Sequence, residues 1–121
     1  MTLDSNILID YLKNDATVIS VMEQWRTENQ PLFISSISIA EVLSLSIIVP
    51  DDLERYRNFL ASFHSVPFDN TVAEIAAMLR RTYKLKLPDS GIVATALHLQ
   101  RPLVTRDKTL KKIKEITVIE I

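Results

Sequence analysis

A chain of 121 residues, 47% hydrophobic and 24% charged, is long enough to bury its own core and is expected to form one domain. It holds no cysteine and two histidines, which excludes disulfides, thiolate zinc sites and thiol nucleophiles and leaves oxygen as the donor for any metal. The net charge of −1 hides a segregation: residues 1–79 carry four basic side chains against eleven acids, whereas residues 80–114 carry ten against only Asp89 and Asp107. A basic segment with embedded acids suits a polyanion held beside a metal site. The single glycine, Gly91, rules out glycine-rich phosphate loops. No apolar run approaches a membrane span, so a cytoplasmic protein with no membrane partner is expected.

In chain order, Met1–Leu3 is a short apolar run. Ile7, Leu8, Tyr11 and Leu12 then follow at helical spacing over Asn6–Leu12. A second helix is predicted over Ala16–Glu28, and Leu32–Ile34 reads as a strand after Pro31. The next helix is predicted over Ser38–Ile48, ended by Pro50. Asp51 or Asp52 is expected to cap the helix carrying Leu53, Tyr56, Leu60 and Phe63. Ser65–Pro67 is a brief strand candidate, Thr71–Tyr83 a helix, and Pro88 opens a helix over Asp89–Gln100. Pro102–Thr105 is a strand, Lys108–Lys112 a short helix and Thr117–Ile121 the last strand. Strands separated by helices imply right-handed crossovers and an α/β fold: a three-layer α/β/α sandwich on a mostly parallel sheet.

Four carboxylates, Asp4, Glu41, Asp89 and Asp107, fall at or just after predicted helix openings. In a parallel sheet the strand C-termini share one edge, so such residues can meet in one crevice. Grouped acids must either raise their own pKa values or hold a cation. Each acid also has an ordinary reading. Asp4 and Asp107 can cap helices, Asp89 can favour a helix dipole, and Ser38 with Glu41 forms a capping-box pattern. Ser5, Asn6 and Thr105 are small polar groups able to orient carboxylates. Arg80, Arg81, Arg106 and Lys108 are candidates for contact with an RNA backbone.

The segments LDSNILID, ISSISIAEVL, LRRTYKLKLPDSGIVATAL and LVTRDKTL resemble, in order and spacing, the successive motifs of PIN-domain ribonucleases, in particular the small VapC-type toxins of toxin–antitoxin pairs. The resemblance covers nearly the whole chain and is weakest over residues 42–70. Ser5 stands where that family more often has threonine, and the hydroxyl is kept. The resemblance implies a five-stranded parallel sheet and an endoribonuclease dependent on Mg²⁺, or alternatively Mn²⁺. Asp4, Asp89 and Asp107 would ligate the metal, and Glu41 would act mainly through water. It further implies a homodimer inhibited by a cognate antitoxin, with Leu43–Val49 and the following helix as the docking region.

Two other readings use the same residues. One is a PIN-like module that binds without catalysis. The other is a receiver-type signalling domain, which would need paired acids after its first strand; here the Asp51–Asp52 pair follows a helix.

Overall fold

The computed structural model describes residues 1–46 and 48–121. Its sheet has five strands, all parallel: β1 (Thr2–Leu3), β2 (Phe33–Ser35), β3 (His64–Val66), β4 (Leu103–Thr105) and β5 (Val118–Glu120), in the order β3-β2-β1-β4-β5. Six α-helices join them among the described residues: α1 (Ser5–Leu12), α2 (Ala16–Thr27), α3 (Ser36–Leu43), α4 (Pro50–Ala61), α5 (Asn70–Tyr83) and α6 (Leu87–Leu99). The expected fold class is observed. No described helix is long and apolar enough to cross a membrane.

Strand alternation divides the core. Leu3, Ile34 and Val104 pack with Ile7, Leu8, Val18 and Met22 on one face, whereas Leu103 packs with Leu79, Ile92 and Val93 on the other. α6 is buried continuously from Ser90 to Ala96, with Ala94 and Ala96 fully enclosed. A helix covered on nearly all sides needs small residues, and Gly91 supplies the closest approach. A Cβ there would collide with Ile37 of α3 and press on the Phe68 ring at 3.2 Å. With that one glycine spent inside a helix, left-handed positions after helices fall to other residues: Asn14, Asn29, Lys84 and Gln100, all with positive φ.

Three sequence expectations need correction. α3 begins at Ser36, not Ser38, because the Ser35 side chain accepts from the Ile37 amide at 3.1 Å. It ends at Leu43, where the Ser44 hydroxyl turns back onto the Ala40 carbonyl. Of the predicted extension to Ile48, position 47 lies outside the described residues. Val49 before Pro50 is extended, as proline requires of its predecessor. α4 therefore starts at Pro50, and Asp51 and Asp52 occupy its first turn instead of capping it.

Candidate functional site

In this strand order the chain leaves β1 toward β2 on one side, while β4 lies on the other. The C-terminal ends of β1 and β4 thus flank the topological switch point, where a crevice opens in α/β sheets. Asp4 follows β1 and Asp107 follows β4 by two residues. Thr105 ties them together: its hydroxyl donates to Asp4 Oδ2 at 2.6 Å and accepts from the Asp107 amide at 3.0 Å. Asp4 Oδ1 accepts from the Ser5 amide at 2.7 Å, so the carboxyl is clamped on both oxygens while only 6% exposed. The Asp107 carboxylate accepts from the Thr109 amide at 3.0 Å and its hydroxyl at 2.6 Å, capping the 3₁₀ turn Lys108–Lys112.

Glu41 comes from the second turn of α3, six residues beyond β2, and not from a helix opening. The capping-box reading of Ser38 and Glu41 fails because Ser38 is inside the helix. The Ser5 hydroxyl instead donates to Glu41 Oε1 at 2.6 Å and lies 2.9 Å from the buried Ser38 hydroxyl. With its single proton given to the carboxylate, the Ser5 oxygen is left to accept from Ser38. Asp89 lies in the first turn of α6. Because that helix runs back toward the start of β4, its N-terminus sits at the strand C-terminal edge.

The four acids share one field. Burial pushes the Asp4 carboxyl up to about 6, against the pull of Thr105 and the Ser5 amide, and Asp89 and Glu41 push it further. Asp89 is also raised, first by burial and then by Asp107 and Glu41, with Lys86 opposing. Asp4, Glu41, Asp89 and Asp107 therefore form one connected anionic cluster. Ser5 and Thr105 each hold one of its carboxylates. Asn6 makes no such contact: its Oδ1 is buried with no partner among the described residues.

The basic candidates divide. Arg106 is engaged, not free: it pairs with Asp10 at 3.1 Å and Asp15 at 2.8 Å, which holds the Asp15 carboxyl below the usual range. Lys108 is 80% exposed and only loosely paired with Glu120 at 3.9 Å. Arg80 and Arg81 are exposed in the last turn of α5, with Arg80 Nε donating to the Leu85 carbonyl. Sequence reasoning missed Ser38, Asp10 and Asp15. Asp15 has a local signal, because it caps α2 through the Val18 amide at 3.1 Å; its bond to Arg106 has none.

Hard carboxylate oxygens suit Mg²⁺ or Mn²⁺. The donor set fits such an ion: Asp4 is buried with the charges of Asp89 and Glu41 acting on it, and Asn6 Oδ1 is buried with no partner among the described residues. Among the described residues no three acidic or histidine side chains are already gathered as a group that could hold a metal ion. The receiver arrangement is absent: Asp51 and Asp52 belong to α4 and do not follow a strand.

The family model for the PIN domain matches residues 1–116. No curated protein matches the sequence. Among solved structures, a toxin–antitoxin complex from Klebsiella pneumoniae is 32% identical, over 99% of this chain and 98% of that one, with a TM-score of 0.84. VapBC2 from Rickettsia felis bound to a promoter DNA fragment is 21% identical, covering 99% and 97% of the two chains, with a TM-score of 0.84. DNA-bound VapBC from Salmonella typhimurium is 20% identical, covering 98% and 96%, with a TM-score of 0.85. These last two share the fold. The family match runs from β1 past the 3₁₀ turn and so takes in all four acids of the switch-point edge; the chain belongs to the PIN-domain family.

Proposed function

We propose that this chain is a single-domain, divalent-metal-dependent endoribonuclease acting as the toxin of a toxin–antitoxin pair. The observation that carries the reading is the connected cluster of four carboxylates at the switch point, with Asp4 buried and raised to about 6. Family membership supports nuclease chemistry, and the similarity to the Klebsiella pneumoniae complex supports the toxin assignment.

In this reading Asp4, Asp89 and Asp107 would hold Mg²⁺ or Mn²⁺, with Glu41 acting mainly through water. The bound ion would polarise a phosphate oxygen and acidify a water molecule. The chain's own residues do the rest. Thr105 and the Ser5 amide fix Asp4, and Thr109 fixes Asp107. The Ser5 hydroxyl anchors Glu41 by one oxygen, leaving the other free to accept a proton from the attacking water. No side-chain nucleophile is needed. Arg80, Arg81, Lys86 and Lys108, exposed on the basic segment, draw the RNA backbone toward the edge. The partners are RNA, a cognate antitoxin and a second copy of the chain, in the cytoplasm.

Asp4→Asn and Asp107→Asn are the test. Each should abolish Mg²⁺-dependent cleavage of RNA while keeping a cooperative melt. Cleavage at the wild-type rate by either purified variant would remove the assignment.

A further inference from the structure

Arg106 lies between Thr105 and Asp107, the two residues that join the β4 exit to Asp4. Its side chain turns toward the α1–α2 connection. Nη1 lies 3.1 Å from Asp10 Oδ2 and 2.8 Å from Asp15 Oδ2, and Nη2 lies 3.3 Å from Asp15 Oδ1. The grip on Asp15 is two-pronged, and all three side chains are only about a third exposed, at 31%, 27% and 31%. Such a fork is stronger and more directional than a surface pair.

α1 is thereby attached to the β4 exit twice. Asp4, its N-cap, is bound by Thr105, and Asp10, in its last turn, is bound by Arg106. Ile7 and Leu8 already seat α1 in the core, so two polar attachments more than a turn apart fix the β4 exit against a rigid element. We infer that Arg106 is a positioning residue, whose clasp on Asp10 and Asp15 holds Asp107 in register with Asp4. This rests on the reading of those acids as the metal site. An RNA-backbone role for Arg106 is disfavoured by charge: one guanidinium between two carboxylates leaves a local charge of about −1, which repels phosphate.

The test compares Arg106→Gln, Arg106→Lys and Asp15→Asn in the full chain. Asp15→Asn keeps an oxygen to cap α2, which preserves a folded variant if Arg106→Gln does not fold. Arg57→Gln serves as control: it removes an exposed ion pair with Glu54 within α4. Mn²⁺ affinity is read by calorimetry, folding by melting in EDTA, and kcat and KM by RNA cleavage.

Arg106→Gln and Asp15→Asn should each weaken Mn²⁺ affinity and lower kcat by about 10- to 100-fold, with KM unchanged. Arg106→Lys, a charge without the fork, should recover part of both. Arg57→Gln should leave both Mn²⁺ affinity and kcat unchanged. Wild-type Mn²⁺ affinity in Arg106→Gln would overturn the clasp alone, as would a raised KM at unchanged kcat. A wild-type chain that binds no Mn²⁺ would overturn the acid-site reading, and the clasp with it.

Discussion

Thr105 and Asp4, 101 positions apart in the chain, meet in a 2.6 Å hydrogen bond, and the same threonine oxygen receives the Asp107 amide. One hydroxyl therefore registers the exits of two neighbouring strands against each other. Much of what the site can do follows from that join.

Thr105→Val keeps the shape and removes the hydroxyl. Asp4 Oδ2 then lacks its partner within a buried setting, at a cost of about 2 kcal/mol of stability. Cleavage should fall by about 10- to 100-fold, as for other groups that orient a metal-binding carboxylate. Thr105→Ser should restore both. Chemical denaturation and a cleavage assay on the three proteins check this.

The acidic edge makes metal-free stability depend on pH. Asp4 titrates at about 6 when folded against an ordinary 3.8, so its contribution is fully present below pH 3.8 and lost as pH rises through 6. Ionising it at pH 7 costs roughly 3 kcal/mol. Asp89, also raised, acts with the same sign. Asp15 and Glu120, both lowered, oppose only when pH falls below the usual carboxylate range. In EDTA the melting midpoint should therefore rise from pH 7 to pH 5, and Asp4→Asn should flatten that rise. A midpoint that falls over this interval in the wild-type chain contradicts the burial of Asp4.

Ser5 governs the position of Glu41. Ser5→Ala frees the carboxylate from its 2.6 Å bond and should reduce cleavage by about 10-fold or more; it also strands the buried Ser38 hydroxyl, at a cost of about 1 kcal/mol or more of stability. Ser5→Thr retains the hydroxyl and should remain active. Equal loss in both variants would point to the volume at this site, not to the hydrogen bond.

Gly91 sets how closely α3, which carries Glu41, approaches α6, which carries Asp89. Gly91→Ala gains about 1 kcal/mol of helix propensity but loses about 2 through overpacking against Ile37 and Phe68. The midpoint should drop. Ile37→Val removes the methyl that the new Cβ meets, so in that background Gly91→Ala should stabilise. Additive effects in the double-mutant cycle would show that the two residues do not touch.

Local pattern made the architecture readable. The alternation of apolar runs and helical stripes announced a parallel α/β sheet, because crossover helices are the only short way to join parallel strands. Asp4, Asp89 and Asp107 stood out because strand-to-helix junctions are marked by turn and cap chemistry within a few residues. The start of α3 escaped this reading, since Ser35 and Ser38 are chemically equivalent caps and only the packing of Ser38 against Ser5 distinguishes them.

By itself, then, the order of residues determined the element types, the parallel sheet and which acids stood at its junctions, since each depends on neighbours close along the chain. Tertiary structure alone decided that β1 lies beside β4, that Ser5 holds Glu41, and that Arg106 is claimed by Asp10 and Asp15. Those pairings join residues 36 to 101 positions apart. A charge or hydroxyl carries no local mark of the distant partner that will satisfy it; only the folded backbone brings the two within a hydrogen bond's reach.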